Sequence, residues 1–285
     1  MIPDWRTNCV YLSSRLRKRH PTVSASLESI LTQSGTVVAA IPKTKDIWCR
    51  DYMPVQVDEN TFCQFVYDPD YLQGYDDLRT APSFCRLKTM TNCRSVNLVL
   101  DGGNVVAAVN KVILTDKVFK ENSAMSSKEV RRVLEEVLQA EVIVVPRPPH
   151  DPIGHADGVL RFLDEDTVVL NDFQGPEATY GRRLRSVLRQ HGLECVPVPY
   201  FVEDHVTDGI PSAVGCYVNY LRTEKLLILP VFGVARDDAV LRRFESLFSG
   251  TRIVPLPCTR LARQGGCLNC ISWTTRFRRK KSATR

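Results

Sequence analysis

The sequence predicts one α/β domain of cyclic type, assembled from about five copies of a strand–helix–strand–strand unit. Three observations predict it. Five short apolar runs look alike, at residues 36–42, 95–100, 141–146, 193–199 and 251–257. They recur at intervals of roughly 45–60 residues, near the upper end of the periods expected of repeated units. Four of the five reach a proline at or near the end, which removes a ladder donor and stops a strand. No copy could bury its faces alone, so neighbouring copies must pack together. A ring would also remove the open edges that a linear stack leaves. The alternative topology is an open doubly wound sheet with strand insertions. A dinucleotide site is not expected, because no G-x-G-x-x-G opens any of the helices.

Each unit opens on a strand, expected at 9–12, 62–67, 112–114, 167–170 and 226–230. A helical stretch with Leu or Val three and four apart follows at 24–31, 127–138, 177–190 and 237–248. In the second unit the helix ahead of Ser95 is faint. The clearest is 127–138, with Val130, Val133, Leu134, Val137 and Leu138 on one face. The proline-stopped run comes next. A final strand-like segment then closes each unit, at 47–57, 104–109, 155–163, 216–221 and 268–275. Residues 1–275 read as a single catalytic domain, and 276–285 as a flexible basic tail.

Composition is that of a soluble globular chain, 44% hydrophobic and 25% charged, and no apolar stretch approaches a membrane span. The formal charge of +6 is uneven: the last ten residues hold six basic and no acidic side chains, leaving the body neutral. A neutral body argues against a dedicated nucleic-acid binder, whose folded surface carries basic stripes. Ten cysteines invite a disulfide or zinc reading. The N-terminus shows no basic region followed by an apolar one, so a cytoplasmic protein with free thiols is expected. Cys9, Cys63, Cys195 and Cys216 lie in apolar runs, where cysteine acts as a small hydrophobe. Cys267 and Cys270 form a lone C-x-x-C with Cys258 upstream, without the second pair or His pair a zinc site wants. No metal or organic cofactor is expected.

Reactive residue types collect in the final segments and the loops entering them. The first offers Asp46-Ile-Trp48-Cys-Arg-Asp51-Tyr-Met-Pro, the second Asp101-Gly-Gly-Asn104, and the third Gly154-His155-Ala-Asp157-Gly158. The fourth holds Tyr217-Val-Asn219-Tyr, and the last Gly265-Gly-Cys-Leu-Asn-Cys270. In a cyclic array these positions converge on one axis. His155 and Asp157, two apart, would share one face of a strand, a proton-handling group beside a carboxylate. Asp157 near Asp51 would be costly to desolvate when empty, and a planar guanidinium would relieve that cost through bidentate hydrogen bonds. A cysteine near His155 and a bound cation would ionise more readily than a free thiol. Singly, each of these residues has a structural explanation; their joint placement in a repeat is the argument.

Taken in order, these stretches resemble the agmatine deiminase and bacterial peptidylarginine deiminase family of guanidine-modifying enzymes. The resemblance runs from the first repeat to the last. It implies a five-bladed, pseudo-symmetric α/β propeller and a cofactor-free hydrolysis of a guanidino group. By the same resemblance Cys270 would be the nucleophile, and Asp51 and Asp157 would clamp the guanidinium nitrogens. His155 would protonate the departing ammonia and then activate water. Trp48 would line the slot, Asn219 would contact the substrate, and Asp101 is grouped with the substrate-binding residues. The chain departs from the family at Asn269, where agmatine deiminases typically have His, and at Asp101, where Glu is common.

Agmatine, giving N-carbamoylputrescine and ammonia through a covalent thiouronium, is the expected small-molecule substrate. Peptidyl arginine and free arginine are the alternatives, together with amidino transfer on the same fold. A non-catalytic guanidine binder, or a binding protein acting through the tail, completes the set. Neither nucleic acid nor membrane is an expected partner of the folded body, and oligomeric state is not readable.

Overall fold

The computed structural model describes residues 1–81, 87, 90, 92–149 and 151–277. The basic tail from residue 278 on lies outside the described residues, as does much of the stretch where the sequence suggests a faint helix ahead of Ser95. The first part of the chain runs β1 (Cys9–Ser13), α1 (Leu16–Arg19), α2 (Pro21–Gln33), β2 (Val37–Ile41), α3 (Cys49–Tyr52), β3 (Val55–Gln56), β4 (Thr61–Val66) and β5 (Asn92–Val99). There follow β6 (Val106–Ala107), β7 (Lys111–Thr115), α4 (Lys117–Glu121), α5 (Ser127–Leu138), β8 (Glu141–Val145), β9 (Leu160–Phe162), β10 (Thr167–Asn171), α6 (Ala178–Gln190) and β11 (Glu194–Val198). The last part holds β12 (Val206–Thr207), β13 (Ile210–Pro211), β14 (Leu221–Arg222), β15 (Leu226–Val231), α7 (Asp237–Leu247), β16 (Arg252–Pro257), α8 (Thr259–Ala262) and β17 (Ser272–Thr275).

The described strands form five separate three-stranded sheets, β17-β1-β2, β3-β4-β5, β6-β7-β8, β9-β10-β11 and β14-β15-β16, plus the β12–β13 hairpin. No sheet closes on itself. In each of the five, the middle strand is parallel to one neighbour and antiparallel to the other. Middle strands β1, β7, β10 and β15 are almost wholly buried, whereas the parallel strands β2, β11 and β16 are half exposed. The prolines that end the parallel strands therefore sit on sheet edges, where a missing N–H costs least.

Two expectations need correction. The sequence groups each final segment with the copy before it, but the structure pairs it with the copy after. β3 is antiparallel to β4, with Val55 opposite Cys63. β17, the last strand, returns to β1, with Thr275 opposite Cys9. A short hairpin explains the choice, since little loop entropy is lost in closing it. The Asp58 carboxylate accepts the N–H groups of Asn60 and Thr61 at the β3–β4 turn, and Asp164 does the same for Asp166 and Thr167 between β9 and β10. The second correction concerns conformation. Three of the final segments begin as short helical turns and the other two as non-helical turns, and only their ends are strands of two to four residues.

The helices are set by their own sequence. Ser126 and Glu129 form a reciprocal capping box ahead of α5, whose Val130, Leu134 and Leu138 are fully buried against Val112, Leu114 and Val142. Val133 and Val137 are only half-buried, so the apolar face is narrower than the sequence suggests. Asp237 opens α7 by accepting three backbone N–H groups, from Phe232, Gly233 and Val234. Arg276 and Phe277, assigned to the tail, are packed: Arg276 N–H donates to Gln56, and Phe277 bonds Asn8 and meets Tyr11 and Phe62. Among the described residues no helix is long and apolar enough to cross a membrane.

Leu134→Ala should leave a cavity under α5 and lower stability by about 2–5 kcal/mol. Urea denaturation should show Val133→Ala costing clearly less; equal losses would contradict the narrow face.

Candidate active site

The chemistry-bearing residues sit in five turns, one leading into each antiparallel strand. Asp51 lies in α3 ahead of β3, and Asp101 caps the turn Gly102–Asn104 ahead of β6. His155 caps, and Asp157 occupies, the turn Ala156–Gly158 ahead of β9. Asn219 precedes β14, and Cys270 precedes β17. His155 and Asp157 therefore share a tight turn, not a strand face.

Each turn is hydrogen-bonded to the next. The Gly103 N–H donates to Asp51 Oδ1 at 3.0 Å, and the Ala156 N–H donates to Asn104 Oδ1 at 3.2 Å. Asn219 Nδ2 donates to the Asp157 carbonyl at 3.3 Å. Asn219 Oδ1 accepts the N–H groups of Cys267, Asn269 and Cys270 at 3.2, 3.2 and 3.4 Å. The Arg50 N–H then donates to the Cys270 carbonyl at 3.1 Å, joining fifth turn to first. Asn219 is thus fixed mainly by backbone, and its Nδ2 also lies 3.2 Å from Cys270 Sγ.

Two glycines make room where the turns meet. A Cβ on Gly103 would lie 2.6 Å from Asp51 Oδ1, 2.7 Å from His155 Nδ1 and 3.4 Å from Asp157 Oδ1. The same contacts place both carboxylates and the imidazole around one point. A Cβ on Gly266 would lie 2.7 Å from the Trp48 ring and 3.2 Å from Cys270 Sγ, so the indole and the thiol are near neighbours. Cys270 Sγ is 3.6 Å from Asp157 Oδ2. That carboxylate also accepts a 2.6 Å bond from Asn269 Nδ2.

These groups open on a cavity of about 900 Å³. Trp48, Tyr67, Tyr71, Phe173 and Tyr200 supply aromatic wall. Asp46, Asp51, Asp151, Asp157, Glu177 and Asp208 supply carboxylates, and Arg19 is the sole lysine or arginine among the described lining residues. The cavity thus suits a flat cation. Asp101 does not line it. It stands behind His155, accepting from Nε2 at 2.8 Å, and leaves Nδ1 facing Asp51 at 3.5 Å. Among the described residues no group of three or more His, Cys, Asp or Glu side chains is gathered for a metal ion.

Burial dominates the electrostatics. It pushes the Asp51 carboxyl up to about 7, with Asp101 and Asp157 adding and His155 opposing. Burial alone would lower His155; Asp51, then the bond to Asp101, outweigh it and hold the imidazole at about 9. The Cys270 thiol is driven well above its usual value by burial, then by Asp157 and Asp51. These shifts favour the thiol form of Cys270 and the charged form of His155. Asp46, which accepts from the Trp48 N–H, is raised to about 7 by burial.

The structure brings Asp51, His155, Asp157, Asn219, Trp48 and Cys270 together. Sequence reading missed Gly103, Asn104 and Gly266 as the pieces that fit the turns to one another. Their signal was in plain view, inside the Asp-Gly-Gly-Asn and Gly-Gly motifs. Lys117, buried against Asp101, gave no signal.

The profile of the Porphyromonas-type peptidyl-arginine deiminase family matches residues 10–275. A Lactococcus lactis protein named "Putative agmatine deiminase" is 26% identical over 269 residues, covering 80% of this chain and 74% of its own. One from Listeria monocytogenes, "Putative agmatine deiminase 1", is 22% identical over 239 residues, covering 73% and 66%. The chain therefore spans about two thirds to three quarters of these curated relatives. Among solved structures, a substrate-bound C. jejuni agmatine deiminase variant superposes with a TM-score of 0.76 at 16% identity, covering 97% of this chain and 96% of that one. The agmatine deiminase of Enterococcus faecalis gives 0.75 at 16% identity, covering 95% and 94%. These likenesses show a shared α/β fold.

Gly103→Ala should yield a folded protein whose His155 and Asp51 are forced apart. Calorimetry should show guanidinium-compound binding weakened at least about tenfold, the scale of one charge-assisted hydrogen bond; unchanged binding would mean that this meeting point is not the ligand site.

Proposed function

The chain belongs to the Porphyromonas-type peptidyl-arginine deiminase family, and on that premise we propose that it is a cysteine-dependent hydrolase of a guanidino group, with agmatine as substrate and N-carbamoylputrescine and ammonia as products. The observation that carries this reading is Cys270 Sγ, 3.6 Å from Asp157, beside Asp51 and His155 at the floor of one acidic cavity. We read residues 1–275 as one catalytic domain and the five sheets as blades of a propeller, a reading supported by the five hydrogen-bonded turns and by the pairing of β17 with β1. Cys9, Cys49, Cys63, Cys195, Cys216, Cys258, Cys267 and Cys270 are free thiols, which fits a reducing, cytoplasmic setting.

The chemistry follows from the charges. A guanidinium entering the slot places its nitrogens against Asp51 and Asp157 and spreads its charge over both. That cation supplies what the empty site lacks, so the Cys270 proton is lost to solvent and the thiolate becomes the nucleophile. Sulfur attacks the central carbon and gives a neutral tetrahedral adduct. His155, already protonated, passes its proton to one NH2 group. The C–N bond breaks, ammonia departs, and a cationic thiouronium remains on sulfur. The neutral imidazole then takes a proton from water as oxygen adds to the carbon. The C–S bond breaks, the thiolate returns, and the protonated urea gives its proton to ammonia. Asn219 holds Sγ throughout, and Trp48 covers the flat face of the substrate. No step calls on a metal or organic cofactor.

A cavity of about 900 Å³ is large for a ligand the size of agmatine. That size supports a second reading, in which the guanidinium belongs to an arginyl peptide.

Ammonia and ureido release should be assayed with agmatine, free arginine and a blocked arginyl peptide. Turnover of one of them should vanish in Cys270→Ser while calorimetric binding persists; turnover retained in Cys270→Ser would place the nucleophile elsewhere.

Asp51 must be ionised to bind a cation, and His155 must be protonated to act as acid. With Asp51 at about 7, His155 at about 9 and the Cys270 thiol held well above its usual range, kcat/KM should climb with pH through 7 and level off near 9. A rate that keeps rising beyond about 10 would remove His155 from the acid role.

A further inference from the structure

Behind the catalytic turns lies a buried cation that the mechanism above does not use. Lys117 opens α4, and only 1% of it is exposed. Lysine is seldom buried so completely unless paired. Its Nζ lies 3.3 Å from Asp101 Oδ2 and 3.5 Å from Asp70 Oδ1, is hydrogen-bonded to Glu121, and stands 5.3 Å from the centre of the Tyr71 ring. Asp101 Oδ2 is the same atom that accepts from His155 Nε2. Lysine and histidine therefore share one carboxylate oxygen, while Asp101 Oδ1 is buried with no hydrogen-bond partner. Tyr71 touches both cations, its ring 5.9 Å from the imidazole.

We propose that Lys117 is a positioning residue of the acid–base machinery: by sharing Asp101 with His155 it fixes the ring with Nδ1 toward the substrate and loosens the histidine's hold on its proton. The proposal rests on the reading of His155 as the group that delivers a proton to the leaving nitrogen. The charges that act on His155 are Asp101 at its Nε2, Asp51 at its Nδ1, Asp157 in its own turn and Lys117 behind Asp101, with Tyr71 packed on its edge. Two carboxylates contacting one imidazole would hold its proton too firmly for transfer. An ammonium on the far side of Asp101 withdraws part of that attraction without entering the cavity. Lys117 itself stays charged, because Asp101 and Glu121 outweigh the effect of burial. The backbone also ties Lys117 to the site: two residues before it, Thr115 donates from Oγ1 to the Gly154 carbonyl at 2.6 Å.

Removing the ammonium leaves Asp101 ionised by its bond to protonated His155, so the imidazole should keep its proton to higher pH. Removing the negative charge of Glu121 should do the reverse, since Lys117 then acts on Asp101 with less compensation.

The test is an NMR titration of the five histidines in the full chain, with labelled imidazoles, the His155 signal being the one that His155→Gln lacks. Lys117→Met should raise the His155 midpoint by about one unit, Lys117→Arg should restore it, and Glu121→Gln should lower it. A midpoint that stays or falls in Lys117→Met overturns the proposal. Should that variant fail to fold, Glu121→Gln decides, and an unmoved or raised midpoint there overturns it. The titration needs no turnover, so the two readings fail separately. A raised midpoint in a protein that releases no ammonia keeps the role of Lys117 and removes the deiminase. Turnover with unmoved midpoints does the opposite.

Discussion

Five turns from distant parts of the chain meet at one place, and the hydrogen bonds that pass from each to the next hold them there. These bonds use backbone N–H and C=O groups that are buried and would be costly to leave unpaired. In four of the five links a side chain supplies one of the partners. Asp51 accepts from Gly103, Asn104 accepts from Thr115 and Ala156, and Asn219 accepts from three N–H groups of the last turn. A change in one turn therefore displaces two others. The close packing also accounts for the paired glycines: a side chain on Gly102 would strike the Arg50 carbonyl, and one on Gly103 would occupy the meeting point itself.

Positioning of this kind permits an electrostatic arrangement that no isolated segment could sustain. The cavity floor carries Asp51 and Asp157, and no lysine or arginine among the described residues lines it near them. Burial drives Asp51 upward and suppresses the Cys270 thiolate. On the proposed reading a planar cation would correct both faults at once, so that binding and activation of the nucleophile would be one event. His155 is exempt from this dependence, because Asp51 and Asp101 keep it charged without a ligand.

Much of this was legible in the sequence because local patterns carry it. Proline-stopped runs and the spacing of Val130, Leu134 and Leu138 mark the repeated unit. Asp51, His155, Asp157 and Cys270 lie in short motifs whose composition fits guanidinium chemistry. Pairing partners were not legible, since β3 is adjacent in sequence to both its own copy and the next, and the Asp58 turn decides. Nor was the turn at residues 156–158, because two-residue spacing suits a strand face as well as a tight turn. Asp101 was read as a substrate ligand, but which side of a turn presents a carboxylate depends on contacts sixteen residues away, at Lys117. That lysine stands just after a strand, where composition alone would place it in solvent.

Asn269 shows how a departure from a family pattern can be weighed physically. Where agmatine deiminases typically have a histidine, this chain donates an amide N–H to Asp157 Oδ2 at 2.6 Å. An amide donates at every pH and carries no charge. An imidazole in its place would donate only in one tautomer or when protonated, and when protonated it would compete with the substrate for Asp157. The amide orients one oxygen of the carboxylate and leaves its negative charge for the guanidinium. On the proposed reading the substitution would conserve a clamp formed by Asp51 and Asp157.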